Sequence, residues 1–505
     1  MPGPTHASAK ALVALLKHNY EHHHAFFNSR GFHNHATHHL FAVYALGASP
    51  QLLQEVYDTH SYQQPIVESP EPITEENFSE HLGDSKYYSA YLAYFSTYLL
   101  DHTSAEALEH FVFSSEFNYV PGLQVENGVR GAKHQPEMLN RLLAGLVHPF
   151  IHVAYGIEFG VPGQVAEGLA QCSVHAAEQP AILPYSLFSS STSPPSLSSL
   201  SLSDISVQSL TPKKPTFAFY RKISESPRLT RSALGVEPGL PGYSQILPHA
   251  GPIILDLVHA WSAGWLQDVR GEAEAEKRLE GMVEEVIWGN TVWFGISGWG
   301  ARGKEAINAD FFIMHLVTSA LFLPTLVLQA SLAAPAPALD PPLTFAHRLL
   351  LLESFLATSA VWYLTRGNPA VPIAEFFDSP STAAFLTSPS LKPGKERKVD
   401  TSTPPDAGSE PLYSGGPAWP RVFASSLLHD NEHLCKVIRS LSFFAAKWGN
   451  RPAGYYVADG EEKGWEGIEK LDGTLFVRTA GLVMERLGWV AEGKEERNWD
   501  RDGYF

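Results

Sequence analysis

The stretch FFIMHLVTSALFLPTLVLQASLAA, residues 311–334, decides how the whole chain is interpreted. It is long enough to span the ~30 Å hydrocarbon layer of a membrane. However, it carries His315, Gln329 and a mid-segment Pro324, and no basic segment flanks one side only. A polar face is costly in lipid, whereas the centre of a large globular protein requires helices that are apolar all round. We therefore expect a buried core helix in a soluble protein that does not enter membranes.

The composition supports a globular protein with a sizeable core. Of the 505 residues, 44% are hydrophobic and 18% are charged, which excludes global disorder, collagen and coiled coil. The net charge of −17 argues against nucleic acid or an anionic membrane as a partner. Cys172 and Cys435 are the only cysteines, too few for a disulfide framework or a four-thiolate zinc site. With no signal peptide expected, we predict a reducing, cytoplasmic location.

Apolar residues recur at helical spacing along most of the chain, so the fold class is predicted to be mainly α. The predicted helices cover residues 9–27, 34–46, 87–113, 137–158, 251–269, 272–288, 308–333, 343–364 and 422–448. Two tracts rich in Ser, Pro, Gly and charge, 186–215 and 388–417, cannot bury enough apolar surface to order themselves. They could be domain linkers. Because the helices on both sides look equally core-like, we instead expect one helical domain over residues 1–505 with disordered insertions.

Histidine is the unusual residue type, with 23 copies that are clustered along the chain. In NHATHHLFAVYALGASP (34–50), His35, His38 and His39 stand three and four apart and share a helix face. An unpaired buried polar group costs ~1–3 kcal/mol. These rings are therefore either core histidines bonded to backbone carbonyls or functional groups.

A second block, HPFIHVAYGIEFG (148–160), places His148 and His152 at i,i+4, with Tyr155 continuing the same stripe. Such a pair can bind metal, bind an oxyanion or exchange protons. A third block, NADFFIMHLVTSALFLP (308–324), buries His315 among large apolar residues. This histidine is a candidate acid–base group with lowered affinity for protons, or else it makes a structural hydrogen bond.

Two short motifs suggest other chemistry. HDNEH (429–433) matches H-x-x-E-H, in which His429 and His433 would bind zinc and Glu432 would act as base. GWGARG (298–303) is a literal G-x-G-x-x-G. An apolar stretch occupies the place where a dinucleotide site needs an acidic residue. We interpret it as a Trp/Gly turn beside an aromatic wall of Trp288, Trp293 and Trp299, and we find no flavin or nicotinamide fold.

The blocks at 34–48, 148–160, 308–324 and 429–441, together with AEGLAQ (166–171), resemble the fungal questin oxidase-like family. Its members include the versicolorin-pathway oxidoreductase of aflatoxin biosynthesis. The resemblance spans nearly the whole chain. It implies a Baeyer–Villiger-type monooxygenase of secondary metabolism that opens a ring of an anthraquinone. It also implies O2 as co-substrate and NADPH as reductant.

The absence of a predicted flavin site requires another source of electrons, because flavin normally carries this chemistry. A reduced, deprotonated polyphenol can react with O2 directly, and NADPH would keep it reduced. Positioned acid–base groups each contribute ~10²–10⁴ in rate. We assign acid–base work to His148, His152 and His315. Residues expected to line the same pocket and bind substrate are His35, His38, His433, Tyr155 and Trp299.

Two alternatives remain open. The histidines could hold a metal, as in an iron oxygenase or a zinc hydrolase. The ligands in this alternative would be His429, Glu432 and His433, whereas the first interpretation predicts no metal ligands. The chain could also be a non-catalytic carrier of aromatic metabolites, whose histidines only bond phenols. The sequence leaves the particular polyketide and the oligomeric state undecided.

Overall fold

The computed structural model describes residues 3–123, 135–189, 214–238, 242–304, 306–329, 339, 341–386, 418–457 and 464–505. Its α-helices are α1 (His6–His22), α2 (Ala36–Leu46), α3 (Pro50–Asp58), α4 (Tyr88–Asp101), α5 (Ser104–Phe111), α6 (Met138–Leu142), α7 (Ala144–Glu158), α8 (Pro162–Val174), α9 (Ala218–Glu225), α10 (Arg231–Leu234), α11 (Tyr243–Leu266), α12 (Glu272–Ala301), α13 (Phe311–Ala320), α14 (Leu323–Val327), α15 (Phe345–Thr365), α16 (Ile373–Asp378), α17 (Pro380–Ala383), α18 (Ala418–Leu427), α19 (Glu432–Trp448) and α20 (Leu475–Leu487). The described residues contain isolated β-bridges but no strand, so the mainly α prediction is confirmed. The predicted insertion 388–417, and all but the ends of 186–215, lie outside the described residues.

Several helices predicted as continuous are two helices in the structure, because a capping residue interrupts them. The segment 87–113 divides at Thr103, whose hydroxyl accepts from the Glu106 amide while the Glu106 carboxylate accepts from the Thr103 amide. This capping box starts a new helix. Likewise, Asn431 caps α19 and separates it from α18. Hydrophobic spacing predicts the helical segments but not the residues at which the individual helices begin.

The apolar stretch at 311–334 forms α13 and α14, which are separated before Pro324. Residues of both helices are almost all buried. Of the helices in the described ranges, none combines the length and apolar character needed to cross a membrane. The expected core helix is thus present, but in two pieces, and residues 330–334 fall outside the described ranges.

Four helices from distant parts of the chain pack around one interior region. α2 packs against α19 and α7, and α13 packs against α7 and α19. α8 lies along α7, and α1 packs on both α2 and α8. Since α2, α7, α13 and α19 each carry one of the histidine-containing segments, this packing determines which imidazoles can meet.

Candidate active site

The packing of α2, α7, α13 and α19 gathers seven buried imidazoles into one group. We call it the histidine cluster: His33, His35, His38, His148, His152, His315 and His433. Ring centroids of successive members are 4.0–5.0 Å apart, from His33 to His148, His148 to His315 and His315 to His433. The structure therefore brings together all six histidines that the sequence analysis placed in a shared pocket, and adds His33.

His148 is presented by an unusual turn of the backbone. Gly145, Leu146 and Val147 all have positive φ of 55–58°, a left-handed conformation that is costly for residues with a Cβ. The turn lets the His148 Nδ1–H donate to the Gly145 carbonyl at 2.6 Å. Its Nε2 then lies 2.8 Å from the His35 Nε2. A Cβ at Gly145 would come within 2.8 Å of the His33 ring, so glycine is required for this close packing.

His315 is held in a similar way. Its Nδ1 lies 2.7 Å from the Phe311 carbonyl, one helical turn earlier, and its buried Nε2 has no hydrogen-bond partner. Because a ring nitrogen that bonds a carbonyl must be the N–H donor, the Nε2 of a neutral ring carries the lone pair. We call His148 and His315 the carbonyl-bound histidines. Both direct a lone pair into the cluster.

The start of α19 contributes a carboxylate. Glu432 places one oxygen 3.2 Å from the His433 Nδ1 and 3.7 Å from the His35 Nδ1. Among the described residues, two sets of potential metal ligands result, each with its atoms within 4.8 Å of one another. They are His35 with His148 and His315, and His35 with Glu432 and His433.

A second pair of rings is bonded differently. The His38 Nε2 lies 3.0 Å from the His152 Nδ1. The other nitrogen of each ring is buried and has no hydrogen-bond partner, so neither ring is fixed by a backbone carbonyl. We call these two the His38–His152 pair. The His152 Nε2 faces the Glu167 carboxylate at 3.7 Å, and Glu167 accepts a hydrogen bond of 3.1 Å from the Asn19 amide.

Burial favours the neutral form of six rings in the histidine cluster by lowering their pKa. It lowers the pKa of His148 to about 3, with the nearby Lys436 charge as the second cause. Burial likewise lowers the pKa of further cluster rings well below the usual value, namely those of His33, His35, His38, His315 and His433. Burial also lowers the pKa of Lys436 to about 8. A neutral imidazole can accept a proton, donate one or bind a cation.

Aromatic rings flank the cluster, but the tryptophans do not. The ring of Tyr155 stacks 5.3 Å from His38, and Phe311 lies 4.9 Å from both His315 and His433. Trp299, predicted to bind substrate, instead packs against Phe376 at 5.5 Å. The expected aromatic wall is not formed, because the α12 tryptophans pack on different partners: Trp288 on Tyr456 and Phe476, and Trp293 on Tyr220 and Tyr363.

The H-x-x-E-H interpretation requires correction. α19 begins at Glu432, so His429 is not on the helix that carries His433. The His429 ring instead bonds the Leu487 carbonyl at 3.1 Å and accepts from the Asn431 amide. Among the described residues, His429 belongs to neither potential ligand set. Glu432 and His433 contribute to the cluster through His35.

The GWGARG segment is not a turn between strand and helix. Gly298 and Gly300 lie inside α12, where a Cβ would come within 2.6 Å of the Asn308 carbonyl oxygen and 2.9 Å of Pro372, respectively. These glycines allow close packing of α12 on later segments. The motif therefore lacks the backbone geometry that binds a dinucleotide, and the interpretation as a Trp/Gly turn is also wrong.

Sequence analysis missed Glu167 and Lys436, both buried. Glu167 lies within the AEGLAQ block, so the resemblance marked its segment but not its role. His39 illustrates the opposite error. It was grouped with His35 and His38, yet its Nδ1 lies 3.1 Å from the His60 Nε2, and that partner lies outside the cluster.

Comparison with known proteins agrees with the resemblance. A family model described as questin oxidase-like matches residues 32–441. A Baeyer-Villiger oxidase of Paecilomyces divaricatus is 23% identical over 96% of this chain and 89% of its own length. The questin oxidase of Aspergillus terreus is 26% identical over 85% of this chain and 78% of its own length. A third relative, the oxidoreductase AflY of Aspergillus parasiticus, is 28% identical over 34% of each chain.

Proposed function

The chain belongs to the questin oxidase-like family, and from this premise we propose that it is an oxidoreductase of fungal secondary metabolism. It opens a ring of an anthraquinone-type aromatic polyketide by Baeyer–Villiger-type insertion of oxygen beside a quinone carbonyl. The observation that carries the proposal is the histidine cluster, in which His35, His148 and His315 present nitrogens within 4.8 Å of one another. Burying several neutral imidazoles together costs free energy, which favours a functional role for them.

The co-substrates in this proposal are O2 and NADPH. NADPH and one proton reduce the quinone to the hydroquinone. One hydroquinone and one O2 then give one lactone and one water, which balances atoms and electrons. Addition of one water across the ester bond of the lactone opens the ring and gives the acid. Since the first two glycines of the G-x-G-x-x-G segment lie inside a helix, we propose that NADPH acts on the substrate and is not held at that motif.

The chain's own residues would hold and move protons. The lone pairs of His148 and His315 point into the cluster, where they can accept a phenolic proton from a bound hydroquinone. The deprotonated substrate is the electron-rich form that reacts with O2. Tyr155 and Phe311 offer flat apolar surfaces beside the rings, suited to holding a planar substrate and excluding water.

A specific observation favours a metal-dependent form of this enzyme. Metal-bound histidines usually donate their other ring N–H to a carbonyl or carboxylate, as His148 and His315 do with carbonyls and as Glu432 can accept from His433. The set His35, His148 and His315, with Glu432 and His433 beside it, is the imidazole–carboxylate donor set that suits iron or zinc. A bound ion would supply Lewis acidity and, for iron, a centre for oxygen chemistry.

Metal analysis of the purified protein, with turnover before and after a chelator, separates the two forms. Stoichiometric iron or zinc whose removal abolishes turnover supports the metal enzyme. Full turnover of a metal-free sample supports acid–base catalysis by histidines alone. In both forms, mixing with a reduced anthraquinone without oxygen and then admitting air yields a ring-opened acid. Product no higher than in a protein-free control identifies a carrier of aromatic metabolites and contradicts the proposal.

A further inference from the structure

A groove between α1 and α8 leads from the surface towards the edge of the histidine cluster. It encloses 240 Å³, and its lining includes Leu16, Tyr20, Val161 and Gly163. Glu167 also lines the groove, although only 3% of its side chain is exposed. The side chains of Lys17 and Gln164 also line the groove, so the buried carboxylate lies in a mainly apolar groove with two other polar groups.

Two imidazoles lie further from the surface than Glu167. One Glu167 oxygen is 3.7 Å from the His152 Nε2, and the His152 Nδ1 is 3.0 Å from the His38 Nε2. The ring of His38 is 6.0 Å, between centroids, from that of His35. The first separation is longer than a hydrogen bond. Hydrogen bonds that transfer protons are often long until substrate binds, and one water molecule can bridge the two groups.

The hydrogen bonds of His38 and His152 suit proton transfer rather than a fixed structural role. A carbonyl fixes the N–H of His148 and of His315 on Nδ1. By contrast, the outer nitrogens of the His38–His152 pair are buried without a hydrogen-bond partner. Each of these two rings can therefore take a proton on one nitrogen and release one from the other.

We propose that Glu167, His152 and His38 form a proton-exchange route between the groove and the histidine cluster. The inference rests on the proposed function, in which a phenolic proton leaves the substrate and water is formed. The proton that His148 or His315 accepts from the hydroxyl passes within the cluster to His38, from His38 to His152, from His152 to the Glu167 carboxylate and from there to water in the groove. A proton returns by the same atoms when water forms.

Chemical rescue tests the route. In Glu167→Ala, turnover of dithionite-reduced 1,8-dihydroxyanthraquinone should fall at least tenfold, and added formate should restore part of it by entering the groove. Glu167→Gln keeps an oxygen that accepts from the Asn19 amide, but its side chain cannot take up a proton. Its turnover should be as slow as that of Glu167→Ala, and formate should not raise it. The control is Glu109→Ala, which removes a carboxylate bonded to His347 outside the cluster. Its rate should match the native protein with or without formate.

Unchanged turnover in both Glu167 variants, or a loss that formate leaves untouched in Glu167→Ala, overturns the route. A second measurement needs no substrate and separates failure of the route from failure of the proposed function. In protein labelled with ¹⁵N-histidine, exchange of the His38 and His152 ring protons with water should slow at least tenfold in Glu167→Gln. Exchange at the carbonyl-bound His148 and His315 should stay the same. Equal exchange rates for His38 and His152 in both proteins contradict the route, even if the native protein does not turn over the probe.

Discussion

The carbonyl-bound histidines and the His38–His152 pair occupy the same buried region, yet their hydrogen bonds prepare them for different chemistry. His148 and His315 each donate to a carbonyl of their own helix segment, so each has one fixed lone pair. His38 and His152 bond each other, so their protons can shift. In the roles that we propose, the partner of the far ring nitrogen, rather than burial or spacing, distinguishes a ligand or base from a proton carrier.

The largest expected effect comes from breaking the support of a carbonyl-bound ring. Asp310 caps α13, the helix of His315, and pairs with Arg366 at 2.9 Å with both side chains fully buried. Asp310→Asn removes the carboxylate partner of a buried guanidinium, so we expect a loss of about 3–5 kcal/mol in the free energy of unfolding, measured in urea.

Asp378→Asn is the control, because the Asp378–Lys470 pair is exposed. It should change stability by less than about 1 kcal/mol. Equal losses in the two variants would mean that the Asp310–Arg366 pair contributes no more than a surface contact.

The next largest expected effect is a loss of turnover, and it tests the difference between the carbonyl-bound histidines and the His38–His152 pair. His315→Ala should lower turnover about 100-fold or more, because it removes the base or ligand that we propose for the reacting centre. His152→Ala should lower it at least about tenfold but less than His315→Ala, because water admitted to the space can carry protons in its place. Steady-state rates with a reduced anthraquinone decide the order. A larger loss in His152→Ala would reverse the assigned roles.

The smallest effect per residue is the pH dependence of stability. A buried ring with a depressed pKa takes up its proton only on unfolding, so its stabilisation is complete above the unfolded pKa of about 6.5 and is lost as pH falls. For His148 the loss continues down to a pKa of about 3, and for His60 down to about 4. Urea unfolding between pH 7 and 4 should therefore show stability falling by at least about 1.4 kcal/mol per pH unit.

His60→Gln should reduce that slope, because one depressed group is removed outside the cluster. A flat profile from pH 7 to 5 in the native protein would contradict neutral burial of these rings. If metal is bound to the cluster, removing it should leave the His60 contribution to the slope unchanged.

The sequence predicted the helical class and the histidine segments well, because periodicity and composition are local properties. Capping residues such as Thr103 and Asn431 divided helices that hydrophobic spacing alone made continuous. A pocket shared by His148 and His35 was predicted, but their direct contact through Nε2 could not be, since it depends on a left-handed turn at Gly145 and on packing between distant segments. Glu167 was missed because a lone carboxylate on a helix carries no spacing signal, and its role depends on which ring it faces.

The histidine cluster draws on α2 near the start of the chain and on α19 near its end. During synthesis the amino-terminal part emerges from the ribosome first. The imidazoles of α2 therefore lack their final neighbours until α13 and α19 have been synthesised. We expect shortened chains that stop before residue 433 to leave polar rings exposed in an unfinished interior and to depend on chaperones. Splitting the gene into separately expressed halves is accordingly a poor route to a working protein.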